Sequence, residues 1–251
     1  MDLQVNVRGK GPSVVLIHGF PLNAMIWEPI SELLIKDFTV ITLDLPGFGS
    51  SPELPSGFSI DDVAKKVLDS LGTHGIVSAT FLGHSLGGYV ALAIAALRPN
   101  AVERLILLHS TAYADTPVKK ESRNKVIKFI GEHGVTEFTS NFVSPLFARP
   151  DDNEIAEMRD IALSASASSV TGYTQAMRDR PDRSDLLKNL DKPVLVIGGE
   201  NDSVINPESL RKLVSISANI QLQMLAGTGH MGMIESPSET AQAIRNFILV
   251  K

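Results

Sequence analysis

The chain has 251 residues and a formal charge of −5, with 43% hydrophobic and 20% charged residues and no cysteine. That is enough chain, of ordinary globular composition, to bury a sizeable core as one large domain or one domain with an insertion. The negative balance, without a Lys/Arg run or basic aromatic patch, argues against nucleic acid or an anionic membrane as the main partner, and the missing cysteines exclude disulfides, thiolate metal sites and cysteine nucleophiles.

Met1-Asp2-Leu3-Gln4-Val5-Asn6-Val7 has neither a basic n-region nor an apolar h-region, so the expected location is the cytoplasm. Leu3 to Val7 alternates like an edge strand, and Arg8-Gly9-Lys10-Gly11-Pro12 reads as a turn. Val14-Val15-Leu16-Ile17 is continuously apolar, as a strand buried on both faces must be. A helix from Ala24 to Ile35 and a strand from Phe38 to Leu43 follow. Ile60, Val63, Ala64, Val67, Leu68 and Leu71 share one helical face, with Ser59 or Asp61 available as the cap. The run Ile76 to Leu82 reads as a strand, Leu86 to Leu97 as a helix, and Val102 to Leu108 as a strand. The longest apolar stretch, Tyr89 to Leu97, is about half the ~20 residues that a membrane span needs, so no membrane partner is expected.

From Thr111 to about Leu190 the strand signal disappears. Helices are expected over Val118 to Ile130, Thr136 to Phe147, Asp152 to Ala165 and Val170 to Met177, broken by Gly134, Pro145, Pro150, Gly172 and Pro181. Strand and helix then alternate again: Pro193 to Ile197, Pro207 to Val214, Ile220 to Leu225 and Ser238 to Val250. Strands alternating with helices predict an α/β fold with a mostly parallel sheet. An all-helical stretch inside it predicts a core of residues 1–110 and 191–251 carrying a helical lid at 111–190.

Gly83-His84-Ser85-Leu86-Gly87 lies between the fourth apolar strand and its helix. Gly-x-Ser-x-Gly in a strand–turn–helix setting is a nucleophile elbow: the turn is tight, the neighbours of the serine must be small, and the hydroxyl is pushed into the open. A serine hydroxyl needs a base to take its proton and an acid to orient that base. His230, in Thr228-Gly229-His230-Met231, follows the last strand, and Asp202, in Gly198-Gly199-Glu200-Asn201-Asp202, follows the strand before it, so both reach the sheet edge on which the elbow opens. Glu200 is the alternative acid. The end of the strand at Leu108 offers only His109-Ser110-Thr111, with no carboxylate nearby. Backbone N–H groups of Leu86, at the helix start, and of Phe20, in His18-Gly19-Phe20-Pro21, are the candidate oxyanion donors.

These motifs, together with Asp44-Leu45-Pro46-Gly47-Phe48-Gly49-Ser50-Ser51, resemble the α/β-hydrolase superfamily over essentially the whole chain, in its group of small lidded esterase- and enol-lactonase-like serine hydrolases. Epoxide hydrolases and haloalkane dehalogenases share a similar His18-Gly19-Phe20-Pro21 segment but carry an aspartate where Ser85 stands. The resemblance implies the α/β-hydrolase fold and a carboxylic ester hydrolase acting on a small-molecule ester of small to medium acyl group, with no cofactor. The same constellation serves lactonase, thioesterase and menaquinone-pathway lyase-like chemistry, and a slow-turnover ligand receptor is the reading from a different class. Oligomeric state is not legible.

His18 and His84 lie in the motifs but are expected to be packed and hydrogen-bonded. No ligand spacing supports a metal site built on His18, His84 and His230, so none is expected. The Gly47-Phe48-Gly49 stretch lacks the third glycine of a dinucleotide fingerprint. Trp27, Phe142, Leu146, Phe147, Met177 and Met231 are candidates for an apolar acyl pocket. Arg178 and Arg180 are expected to pair with Asp179 or Asp182.

Overall fold

The computed structural model describes residues 2–149 and 151–249; Met1, the helix-breaking Pro150 and the expected helix end at Val250 lie outside them. In chain order the elements are β1 (Val5–Gly9), β2 (Ser13–Ile17), α1 (Glu28–Leu34), β3 (Thr39–Leu43), α2 (Ile60–Thr73), β4 (Ala79–His84), α3 (Leu86–Leu97) and β5 (Val102–Leu108). Then come α4 (Pro117–His133), α5 (Val135–Phe142), α6 (Asp152–Leu163), α7 (Ala167–Asp179) and α8 (Ser184–Asn189). The chain closes with β6 (Val194–Gly199), α9 (Pro207–Val214), β7 (Ile220–Leu225), α10 (Gly232–Glu235) and α11 (Pro237–Leu249).

The seven strands form one sheet in the order β1-β3-β2-β4-β5-β6-β7. Every pairing is parallel except β1 with β3, where Val5 faces Leu43 at the antiparallel edge. Because successive side chains leave a strand on opposite faces, the continuous apolar runs feed two cores. Val15, Ile17, Phe81, Leu105, Leu107 and Val196 face the one containing α2 and α3. Val14, Leu16, Leu82, Ile106, Leu108 and Ile197 face the other, with Trp27, Ile30 and Leu34 beside Ile244 and Phe247 of α11.

Several boundaries differ from expectation for local reasons. Ala24 to Ile35 is not one helix: Asn23 caps a 3-10 turn over Ala24–Trp27, and α1 starts afresh with Pro29 in its first turn, where no N–H acceptor is lost. Ser59, rather than Asp61, caps α2, in a reciprocal box: its hydroxyl accepts the Asp62 N–H and the Asp62 carboxylate accepts its own. Pro145 ends the expected Thr136 to Phe147 helix early, leaving α5 and a 3-10 turn at Ser144–Leu146. The short helices α8 and α10 carry too little periodicity to be foreseen. Among the described residues, the stretch between β5 and β6 holds five α-helices and no strand.

Candidate active site

Ser85 sits between β4 and α3 with φ 50° and ψ −112°, a left-handed conformation that costs a non-glycine residue about 1–3 kcal/mol and persists only where the surroundings impose it. Its N–H donates to the Leu108 carbonyl at 3.0 Å, and its carbonyl accepts the Gly88 N–H at 3.0 Å and the Ser110 hydroxyl at 2.7 Å. A Cβ on Gly83 would strike the backbone of Gly87, and one on Gly87 would strike the Ile17 carbonyl. Both glycines are therefore the condition for α3 to fold back so tightly over β4 and β2.

Asp202 and His230 meet at the ends of β6 and β7. The His230 Nδ1 lies 2.9 and 3.1 Å from the two carboxylate oxygens. An ionised carboxylate only accepts, so the proton is on Nδ1 and Nε2 keeps its lone pair. Asp202 Oδ1 also accepts the N–H groups of Val204 at 2.8 Å and Ile205 at 2.9 Å. Burial pushes this carboxyl upward, but attraction to the His230 ring when it is protonated and the hydrogen bonds from His109 and His230 prevail and hold it well below the usual carboxylate range. Glu200, the alternative acid, is exposed. Ser85 itself is half-buried, and no hydrogen bond joins its hydroxyl to His230 among the described residues.

The His230 loop is pinned from several sides. The His230 N–H donates to the Leu146 carbonyl at 2.7 Å. One Glu235 oxygen accepts Gly229 N–H at 2.9 Å and Met231 N–H at 3.3 Å, while the other accepts Ala148 N–H at 2.8 Å and Arg149 N–H at 3.3 Å. One carboxylate thus ties the histidine loop to the end of the α5–α6 connection. Its link to Ala148 and Arg149 is not legible in the sequence, because those partners lie 87 and 86 residues away.

The Gly19 carbonyl accepts the Leu22 N–H at 3.0 Å and the His18 Nδ1–H at 2.9 Å. In a planar trans peptide this turns the Phe20 N–H the opposite way. Neither that N–H nor the Leu86 N–H, first in α3, finds an acceptor among the described residues. His18 is wholly buried, its Nε2 accepts the Leu45 N–H at 2.8 Å, and burial pushes it down to about 4. His84 is buried as well and donates Nε2–H to the His230 carbonyl at 2.9 Å. Both are occupied in holding loops.

A second histidine also contacts the acid. His109, at the end of β5, is fully buried with φ 48°, and its Nδ1 is 3.0 Å from Asp202 Oδ2. His109, Asp202 and His230 bring three metal-competent atoms within 4.8 Å of one another. However, the Gly232 N–H points at His109 Nε2, 3.2 Å away. That contact puts the His109 proton on Nδ1, facing the carboxylate, so the ring offers no lone pair to a cation there.

The six pocket candidates do not gather into one lining. Trp27, Leu146, Phe147 and Met231 are buried together in one core, and Met177 is buried in the other. Phe142 alone packs against both, and its ring meets Phe20 edge-on at 5.6 Å. Arg178 pairs with Asp179 at 2.6 Å as expected. Arg180 does not pair with Asp179 or Asp182: it is buried, reaches Asp115 at 2.7 Å and lies 3.9 Å over the Tyr89 ring.

Residues 12–237 match the model of the alpha/beta hydrolase fold family, and the chain belongs to that family. It is 26% identical to the 2-(acetamidomethylene)succinate hydrolase of Mesorhizobium japonicum, over 99% of this chain and 92% of that protein. It is 28% identical to the pimeloyl-[acyl-carrier protein] methyl ester esterase of Photobacterium profundum, over 96% of each. A thermophilic esterase from Thermogutta terrifontis, solved with malate bound, superposes with a TM-score of 0.91 at 31% identity, over 97% of this chain and 92% of that one. No helix among the described residues is long and apolar enough to cross a membrane.

Proposed function

We propose that this α/β hydrolase is a serine esterase cleaving carboxylic esters of small to medium acyl groups through an acyl-enzyme. Ser85 Oγ attacks the acyl carbonyl carbon while His230 Nε2 takes its proton, and Asp202 holds the imidazole in the tautomer that leaves Nε2 free. The Phe20 and Leu86 N–H groups, both without acceptors among the described residues, receive the oxyanion. Collapse expels the alcohol, which takes the proton from His230. Water, deprotonated by the same nitrogen, then releases the acid and restores Ser85. The Ser85–His230 contact closes once substrate fills the site, since such bonds are commonly long in the free enzyme.

One observation carries this reading: an orienting carboxylate is already seated on His230 Nδ1, at 2.9 Å. The likeness to the Thermogutta esterase supports an ester as the substrate. The group of Phe20, Phe138 and Phe142 beside one oxyanion donor favours a short acyl chain, and helices α4–α8 act as the lid. Ser85→Ala tests the assignment on p-nitrophenyl acetate and butyrate. Turnover falls by up to ~10⁶, as in other serine triads; a variant that keeps the parent rate removes Ser85 as nucleophile.

A further inference from the structure

Three strands end in residues that converge on one side chain. His109 leaves the end of β5, its Nδ1 3.0 Å from Asp202 in the loop after β6 and its Nε2 3.2 Å from the N–H of Gly232, the first residue of α10 beyond β7. It is wholly buried, and its backbone has a left-handed φ of 48°, uncommon for a residue other than glycine. Its ring stands 5.6 Å from that of His230 and 6.1 Å from that of His84. A second imidazole on the acid is more than packing requires, since Val204 and Ile205 already give the carboxylate two N–H donors.

We infer that His109 is a positioning residue for the acid–base pair, a neutral donor of fixed tautomer that holds Asp202 against His230 and spaces the two loops that carry them. Three consequences follow from the contacts. The Nδ1–H fixes the plane of the carboxylate, because the oxygen it binds, Oδ2, is the one closer to His230. It shares the charge of Asp202, which moderates how strongly the carboxylate draws the His230 proton. The Gly232 N–H forbids protonation at Nε2 without the loss of a buried hydrogen bond, so the donor stays neutral as pH falls; burial acts the same way, lowering the affinity of His109 for a proton. The titratable groups facing this cluster are His84, His109, Asp202, His230 and Glu235, with Lys119 beyond them.

This inference rests on the triad reading above, and its test separates the two. His109→Asn places an amide N–H near the former Nδ1 and suits the left-handed backbone. His109→Leu keeps bulk and removes the donor; His109→Gly removes it without backbone strain should the leucine variant not fold. With the donor gone, kcat on p-nitrophenyl acetate falls about 10- to 100-fold, well short of the ~10⁴ that loss of a triad acid costs, while KM stays near its parent value. The acid limb of the kcat/KM profile moves up by about half a pH unit or more, because an unshared carboxylate holds the His230 imidazolium more tightly. His109→Asn restores both to within a few-fold of the parent.

The downfield proton resonance of His230 Nδ1–H gives a readout in the free protein. It shifts in the leucine or glycine variant and returns in the asparagine variant, whether or not any ester is turned over. A parent-like acid limb and an unmoved resonance in the variants lacking the donor overturn the inference. Failure of Ser85→Ala to abolish turnover overturns the esterase reading instead.

Discussion

The imidazole of His84 donates Nε2–H to the carbonyl oxygen of His230 at 2.9 Å, so the residue before the candidate nucleophile holds the backbone of the candidate base. The elbow and the histidine loop come from β4 and from beyond β7, which are not neighbours in the sheet. His84→Phe keeps a ring between Trp27 and His230 but loses the donor. The expected outcome is a kcat about tenfold lower with KM little changed, from a base displaced relative to Ser85. Unaltered kcat on p-nitrophenyl acetate would mean that the loop holds its position without this bond.

The elbow stores strain at Ser85, whose φ of 50° glycine tolerates freely. Ser85→Gly is therefore expected to abolish ester turnover and to raise unfolding stability by about 1 kcal/mol. Denaturant unfolding of the two proteins checks it; a clearly less stable glycine variant would show that the hydroxyl, not the backbone, dominates there.

Acid lability follows from three buried histidines. His18, at about 4, and His84 and His109 all lie below the ordinary histidine range, in each case chiefly through burial. In the unfolded chain they titrate near 6.5. Between about pH 6.5 and 4 the unfolded chain binds protons that the folded chain refuses, so their contribution is complete above pH 6.5 and declines as pH falls. Each group adds a slope of up to about 1.4 kcal/mol per pH unit. Unfolding free energies at pH 7, 6 and 5 should fall with increasing steepness; a flat profile contradicts three neutral buried rings.

Glu235 receives four backbone N–H groups, two from the His230 loop and two from residues 148 and 149. Glu235→Ala should cost about 1–3 kcal/mol and lower kcat through the loosened base, and Glu235→Gln should lose less because one amide oxygen still accepts. Thermal unfolding and turnover of the two variants give the order. Equal, parent-like behaviour of both would detach the carboxylate from any role in the loop.

Much of this was legible in the sequence because its signals are local. The two-faced strands show in runs such as Val14 to Ile17, and the elbow shows in Gly83 and Gly87, whose missing Cβ atoms are what β4 and α3 require. Asp202 and His230 were placed by following strands, and the structure brings them into contact. What escaped notice depends on contacts distant in sequence: His109 and Asp202 are separated by 93 residues, and Ala148 and Glu235 by 87. Apolar character in the sequence does not distinguish the lining of an acyl pocket from a core. Trp27 and Met231, both fully buried, belong to the core.

The most direct measurement is to quench a burst of p-nitrophenyl butyrate hydrolysis in acid and weigh the intact protein and its peptides. The account predicts a butyryl adduct on the peptide carrying Ser85, formed in the parent protein, absent in Ser85→Ala and greatly slowed in His230→Ala. An ester turned over with no adduct on Ser85, or an adduct forming at the parent rate without the His230 imidazole, would contradict it.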